Sequence, residues 1–163
     1  MRENESTAHD TKIGIAWLAL CASLMIHVTD EALTDFLAVY NPSVIAIRRT
    51  IPWFPMPVFG FGEWLGGLIA ANVVLLALTP FAFRGTRWLR PLAYVFAIVM
   101  LMNGVGHTLG TIFGRTFGEV RFPRPMPGFY SSPGLLAVSI YMLVRLRAPA
   151  GGKKLGHDAH VAA

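Results

Sequence analysis

Four long apolar segments divide the chain, and shorter polar or proline-rich stretches separate them. The segments run over residues 13–39, 58–83, 89–113 and 133–146. Strands outside a closed barrel would leave backbone N–H and C=O groups without partners in lipid, so each segment is predicted to be a helix. We therefore expect an all-α protein, an integral membrane four-helix bundle. Its expected divisions are a polar N-terminal tail over residues 1–12, a transmembrane domain over 13–147 and a disordered C-terminal tail over 148–163.

The distribution of basic residues predicts an orientation for these helices. The proline-rich stretches 50–57 and 115–132 are predicted to be loops, because proline interrupts regular helix. Nine Lys and Arg residues lie on the side of the two termini and the 84–90 connection, and five lie on the side of the proline-rich loops. The positive-inside rule then predicts a multi-pass protein of the plasma membrane with both termini in the cytoplasm.

Composition supports the membrane class and excludes several others. Hydrophobic residues make up 54% of the chain and charged residues only 14%, against about 25% charged in average soluble domains. The net charge of +5 comes from basic residues that flank apolar segments, so we expect no nucleic-acid partner. The single cysteine, Cys21, excludes an intrachain disulfide and a cysteine-based zinc site. The expected partners are membrane lipid, a lipophilic small molecule and further copies of the chain in a homo-oligomer.

A few polar groups lie inside the apolar segments, where an unpaired charge is costly and therefore marks a candidate functional residue. His27 and Glu31 are four residues apart in the first segment, and Asn103 and His107 repeat this spacing in the third. Residues at this spacing share one helical face, so each pair can present two groups to a single ion. The other candidates are Asp30 and Glu63.

The depth of these groups predicts that they meet. At about 1.5 Å of rise per residue, His27 and Asn103 both lie about 21 Å from the cytoplasmic ends of their segments. By the same measure Glu31, Glu63 and His107 lie about 27 to 30 Å from those ends. Segments that run in opposite directions thus bring their polar groups to similar levels. We expect one cluster in the outer half of the bundle.

The residue types in this cluster suit one or two first-row divalent metal ions. Imidazole and carboxylate together bind zinc or iron. Asn103 is either a ligand or a hydrogen-bond partner of His107. The alternative is a metal-free acid–base or structural network. The expected ligands are His27, Glu31, Glu63, Asn103 and His107.

Three classes of function fit such a cluster. The first is a metal-dependent enzyme acting on a lipophilic substrate, with Asp30 or Glu63 as general base. Zinc would indicate hydrolysis and iron would indicate oxidation. Tyr130 would lie level with the cluster and either contributes a phenol or belongs to the interfacial belt of aromatic residues. The second class is a proton or ion carrier or sensor. The third is a structural membrane subunit in which the cluster joins helices.

Three short motifs are similar to those of a known family. They are HVTDE at 27–31, NGVGH at 103–107 and YSSPG at 130–134. They resemble the His-x-x-Glu-Glu, Asn-x-x-x-His and Tyr-x-x-Pro-Gly motifs of the HXXEE-domain proteins, small multi-helix membrane proteins that lack an established activity.

The resemblance implies a membrane location and a polar centre made of His27, Glu31 and His107, and it supplies no reaction. Asp30 stands where that family has its first glutamate, which retains the charge on a side chain shorter by one methylene. We therefore expect Glu31 to be the ligand and Asp30 to lie beside it.

Overall fold

Helices account for most of the regular structure in this chain. The computed structural model describes residues 2–114, 116–117 and 119–148. The all-α fold predicted from the sequence is confirmed, with one pair of two-residue strands besides the helices. The elements are α1 (Arg2–Leu33), α2 (Leu37–Thr50), α3 (Phe61–Ala77), α4 (Thr79–Phe83), α5 (Leu89–Ile112), β1 (Thr116–Phe117), β2 (Val120–Arg121) and α6 (Ser132–Arg147).

The first helix is longer at its N-terminus than the sequence indicated. α1 begins at Arg2, so residues 2–12, which were expected to form a polar tail, are helical. No proline interrupts residues 2–33, and a nucleated helix extends at little cost per residue. Of the expected C-terminal tail, only Ala148 lies within the described residues.

A left-handed turn ends α1 before the point that the hydrophobic pattern predicts. Asp35 has φ 56°, and the Phe36 N–H donates to the Glu31 carbonyl at 3.0 Å. This bond across six residues, with a left-handed residue inside it, is the Schellman motif that ends many helices. The first apolar segment, expected to run as one helix to residue 39, is therefore divided between α1 and the separate helix α2.

The second apolar segment is also divided, and the other two agree closely with the pattern. α3 ends at Ala77 and α4 begins at Thr79, with Pro80 at the start of α4. Proline is favourable in the first turn of a helix because the N–H that it lacks would have no helical partner there. Pro133 occupies the same kind of position in α6.

Most of the packing between helices involves α1 or α6. α1 contacts α3, α4 and α6, and α6 in turn contacts α5. The Trp17 ring meets the Phe96 ring edge to face at 5.5 Å, and its Nε1–H donates to the Leu75 carbonyl at 3.0 Å. Gly104 permits the close approach of α5 to α6, because a Cβ there would lie 2.9 Å from Leu136 Cγ.

α6 runs antiparallel to α1. Its first turn is joined to the C-terminal part of α1, where the Ser131 N–H donates to Asp30 Oδ2 at 2.8 Å. Its last turn lies at the opposite end, where Leu146 lines the same cavity as Asp10 and Ile13. α6 therefore extends beside α1 from the level of residue 30 to that of residues 10–13.

Three helical stretches are long and apolar enough to cross a membrane, which is consistent with a membrane protein. They are Thr7–Leu33, Phe61–Phe83 and Leu89–Ile112. On α3, the apolar side chains Ile69, Val73 and Val74 are more than half exposed. Contiguous exposed apolar surface of this kind is rare on soluble monomers and marks a face that contacts lipid or another protein.

The turn after α1 generates a prediction about stability. The Asp35→Gly variant should be more stable than the Asp35→Ala variant by about 1 kcal/mol. A Cβ is unfavourable at positive φ, and glycine has none. The measurement is thermal unfolding of the two purified variants in detergent, followed by circular dichroism. Equal stability of the two variants would contradict the assignment of a left-handed residue at this turn.

Candidate metal centre

Two histidines and one glutamate meet inside the fold. His27 and Glu31 lie on α1 and His107 lies on α5, and the three side chains are almost completely buried, with 0%, 4% and 5% of each residue exposed. Glu31 Oε1 lies 3.5 Å from His27 Nε2 and 3.0 Å from His107 Nε2. One ligand atom from each residue lies within 4.8 Å of the other two. This group, called the His–Glu cluster below, is close enough together that it could hold a metal ion.

The cluster residues lie on the buried faces of their helices. Trp17, Leu20 and Leu24 form the buried face of α1, and His27 and Glu31 continue it at intervals of three and four residues. The two imidazole rings meet at nearly right angles, with centroids 4.9 Å apart. The polar groups therefore replace core residues at the end of a continuous apolar face.

A hydrogen-bond chain fixes the orientation of His27. Its Nδ1 lies 2.7 Å from Ser131 Oγ. The Ser131 hydroxyl has two acceptors, Asp30 Oδ2 at 2.8 Å and the Gly128 carbonyl at 3.2 Å. A serine hydroxyl has a single hydrogen, which one of these acceptors takes, so Ser131 Oγ accepts the proton of His27 Nδ1. Neutral His27 then has no proton on Nε2.

The other ring nitrogen of His27, Nε2, has no hydrogen-bond partner among the residues that the structure describes. His27 Nε2 is buried, and the carboxylate oxygen of Glu31 lies 3.5 Å from it. Two lone pairs that face each other in a buried site repel, and a proton or a metal cation between them removes the repulsion. Metal-binding histidines commonly donate the proton of their other ring nitrogen to a fixed acceptor, as His27 does here. These buried donor atoms therefore fit a bound divalent metal.

The loop before α6 covers the cluster with a glycine. Gly128 has φ +78°, and a Cβ built on it would lie 3.0 Å from both Glu31 Cγ and His27 Cε1 and 3.1 Å from His107 Cε1. Its N–H donates to Thr34 Oγ1 at 3.2 Å, and its carbonyl accepts from Ser132 Oγ at 2.7 Å. The backbone is thus held directly over the cluster, and only glycine leaves the space beneath it free.

An aromatic side chain covers another side of the cluster. The Phe36 ring lies 5.7 Å from the His107 ring and 5.8 Å from the Trp64 ring. Phe36 reaches this position because the turn at Asp35 ends α1 immediately before it. An apolar shell of this kind limits water access and lowers the local dielectric constant around a metal site.

The other residues selected from the sequence have different positions. Asp30 is joined to the cluster through Ser131. Glu63 is exposed and lies outside this group, where its Oε2 accepts the Gly60 N–H at 3.0 Å at the start of α3. Asn103 is half-buried on α5, and the hydrogen bonds of the described residues do not join it to the cluster. Tyr130 is 70% exposed, with its ring against Phe129.

Sequence reasoning did not select Ser131, Gly128 or Thr34, although all three shape the site. Each acts through a contact between residues about a hundred positions apart, such as Gly128 with Thr34 or Ser131 with His27. The only signal in the sequence was the position of Ser131 inside the YSSPG motif. Nothing in that motif indicates which side chain Ser131 meets.

Comparisons with known proteins identify no relative. No family model matches the chain, and no curated protein or solved structure matches it. The chemistry of the cluster is described by its donor atoms, two imidazole nitrogens and a carboxylate oxygen. This set occurs in hydrolytic zinc sites and in non-haem iron oxygenases.

Adding a methyl group at Gly128 tests whether this residue lies over the cluster. Gly128→Ala should destabilise the protein by about 1 to 3 kcal/mol. The new methyl group would crowd all three cluster residues, and alanine at this position would have an unfavourable positive φ. Thermal unfolding in detergent measures the loss.

Gly106→Ala is the matched control. Apart from its chain neighbours and the nearby backbone of α5, no heavy atom of the described residues lies within 4 Å of the Cβ that it adds. Alanine favours a helix interior by up to about 1 kcal/mol over glycine. This variant should be as stable as the wild type or more stable. If both variants unfolded at the same temperature, Gly128 would not lie over the cluster.

Proposed function

We propose that this chain is a multi-pass membrane protein with a divalent metal centre, and that it is a metal-dependent enzyme acting on a lipophilic substrate by hydrolysis or oxidation. One observation supports this most strongly. Within the described part of the chain, His27 Nε2 is buried without a hydrogen-bond partner and lies 3.5 Å from a carboxylate oxygen, while its other ring nitrogen lies 2.7 Å from Ser131 Oγ. A metal cation would bridge these two atoms; in a metal-free network the same contact needs a proton on Nε2, which makes His27 and Glu31 an ion pair.

The number of protein ligands favours a catalytic site over a structural one. Structural zinc sites use four protein ligands, whereas catalytic sites use three and leave one position for water or substrate. His27, Glu31 and His107 supply three. A divalent metal bound there would polarise a substrate carbonyl or lower the pKa of a bound water toward neutrality.

The surrounding residues orient the proposed ligands. Asp30 Oδ2 accepts two hydrogen bonds from Ser131, one from its N–H and one from its hydroxyl. We therefore assign Asp30 a positioning role through Ser131 in preference to the general-base role expected from the sequence. The proposal gives no role to Glu63, which caps α3, or to Tyr130, which is largely exposed.

The membrane part of the proposal rests on the helices that hold the cluster. His27 and Glu31 lie in one stretch that is long and apolar enough to cross a bilayer, and His107 lies in another. α6 lies antiparallel to α1 and spans about 24 Å in its 16 residues, so it is proposed as a fourth crossing of the bundle. Four crossings would place both termini on the same side of the plasma membrane, and the excess of basic residues on that side favours the cytoplasm. A substrate that reaches such a site from the bilayer would be lipophilic.

The motifs that resemble the HXXEE-domain family coincide with this site. HVTDE at 27–31 contains His27 and Glu31, NGVGH at 103–107 ends in His107, and YSSPG at 130–134 contains Ser131. We propose that the chain is a member of that family and that its three motifs mark one metal centre.

Metal analysis of protein purified in detergent tests the centre. The wild type should retain about one equivalent of zinc or iron, and His27→Ala and His107→Ala should lose it because each removes one of three ligands. Glu63→Gln is the control and should retain the metal, since Glu63 lies at the exposed start of α3. A folded wild type that takes up neither metal would contradict the proposal and leave the cluster as a metal-free polar network.

An open coordination position distinguishes an enzyme from a metal-stabilised structural protein. Cobalt(II) substituted into the centre should give visible absorption bands that shift when a hydroxamate or azide is added, because the added ligand occupies the position left by three protein ligands. Bands that do not respond to any added ligand would indicate a closed site and contradict the enzyme proposal.

The hydrogen bond to His27 should affect metal affinity. Ser131→Ala should weaken metal binding by about 10- to 100-fold, the usual effect of removing a partner that orients a metal ligand. Ser139→Ala is the control, because the buried Ser139 hydroxyl on α6 has no hydrogen-bond partner among the described residues. Competition with a chelator of known affinity gives both values. Equal metal affinities of the two variants would show that Ser131 does not support the metal site.

A further inference from the structure

A polar cavity lies at the other end of the helices, away from the His–Glu cluster. It occupies about 240 Å³ between the N-terminal part of α1, the connection from α4 to α5 and the last turn of α6. Its ionisable groups come from His9, Asp10, Arg87 and Arg90, and Thr86 adds a hydroxyl. The proposed metal centre uses none of these residues, so the cavity calls for a separate explanation.

The cavity contains groups of both charges. Arg87 and Arg90 supply two guanidinium groups, and Asp10 supplies one carboxylate. Arg90 uses one donor, Nη2, on the Leu146 carbonyl at 2.8 Å, and a guanidinium has four further N–H donors. His9 Nε2 is buried and has no hydrogen-bond partner in residues 2–114, 116–117 and 119–148. The cavity therefore offers unused donors for an anion and one carboxylate for a cation.

The carboxylate is held at a definite place in this cavity. Asp10 packs against Gly85 in the connection between α4 and α5, and a Cβ at that glycine would overlap the carboxyl group. Apolar side chains such as Ile13, Trp17 and Ala93 complete the lining. A ligand of this cavity should thus carry both charges and have an apolar part next to them.

The position of the cavity matches a membrane surface. The connection beside it joins two apolar stretches that are each long enough to cross a bilayer, Phe61–Phe83 and Leu89–Ile112. Trp88, in the same connection, is 55% exposed and contacts the Phe81 ring at 5.6 Å. Exposed tryptophan beside arginine is typical of the interface between lipid and water.

We propose that this cavity binds the phosphoethanolamine headgroup of a membrane lipid. The lipid phosphate accepts hydrogen bonds from the guanidinium groups of Arg87 and Arg90 and from His9 Nε2–H, and the primary ammonium donates to Asp10. Arginine is well suited to phosphate because its planar N–H groups match the phosphate oxygens. The volume lies below the range of about 300 to 1,000 Å³ of pockets for drug-sized ligands, so the cavity suits a headgroup whose acyl chains remain in the bilayer.

The charges also predict which lipids bind less well. Phosphatidylglycerol has the phosphate but no ammonium, and its binding leaves Asp10 without a partner. Phosphatidylcholine has a trimethylated ammonium, which has no N–H to donate to Asp10. Phosphatidylethanolamine should therefore be preferred over both.

Native mass spectrometry in detergent tests this preference. The wild type is mixed with equimolar phosphatidylethanolamine, phosphatidylglycerol and phosphatidylcholine that share the same acyl chains. The expected result is one tightly retained phosphatidylethanolamine per protein. Equal retention of the three lipids would overturn the proposal.

Variants locate the binding. Arg87→Gln should weaken retention of phosphatidylethanolamine about fivefold, the usual effect of one basic residue at an anionic lipid surface. Arg84→Gln removes the same charge from the same connection, but Arg84 does not line the cavity, so this control should match the wild type. Asp10→Asn should remove the preference for phosphatidylethanolamine over phosphatidylglycerol. The proposal fails if Arg87→Gln and Arg84→Gln behave alike or if Asp10→Asn retains the wild-type preference.

Soluble ligands identify the source of the phosphate group. Free phosphoethanolamine and inorganic phosphate, each added at millimolar concentration, should leave the lipid adduct in place, because neither has the acyl chains that anchor the headgroup. Adducts of inorganic phosphate that depend on Arg87, without any lipid adduct, would overturn the assignment to a lipid. Circular dichroism spectra that match the wild type confirm that each variant is folded. The readout does not involve the His–Glu cluster, so its outcome is independent of the proposed metal centre.

Discussion

The contact of Ser131 with Asp30 and His27 is the interaction on which the rest of the site depends. Asp30 accepts two hydrogen bonds from Ser131, and these join the chain immediately before α6 to the C-terminal part of α1. The same hydroxyl sets the proton position on His27. The neighbouring Gly128 is thereby held over the cluster, where its carbonyl accepts the Ser132 hydroxyl. Ser131 thus contributes to the position of the start of α6, to the tautomer of His27 and to the cover of the site.

Burial of these polar groups is tolerable only because they satisfy one another. Isolated charges in an apolar interior cost several kcal/mol each in real proteins, and the His–Glu cluster lies at the end of a continuous buried apolar face of α1. Glu31 Oε1 lies within 3.5 Å of both imidazoles. Two ring nitrogens, His27 Nε2 and His107 Nδ1, are buried without a hydrogen-bond partner among the described residues, and a cation beside His27 Nε2 would complete the set there. In the cavity at the opposite end, Arg87 and Arg90 are exposed and Asp10 is half-buried, so these charges need less mutual compensation.

The sequence predicted much of the cluster because its signals are local. His27 and Glu31 share a helical face by their spacing alone, and the heights of the apolar segments correctly indicated that His107 would come to the level of Glu31. Glu63 has a similar calculated height but caps α3 at its exposed start. Height along a helix says nothing about the direction in which a side chain points around it, so calculated height could not separate these two residues.

The amino-acid sequence by itself determined the helical class, the apolar stretches long enough to cross a membrane and the few polar groups within them. Each of these follows from residue type and from the rise of 1.5 Å per residue in a helix. Only the tertiary structure decided that α1 ends at a left-handed Asp35, that Ser131 reaches Asp30 and His27, and that Gly128 covers the cluster. The last two depend on contacts between segments about a hundred residues apart, and the geometry of such contacts is set by packing, which no local pattern encodes.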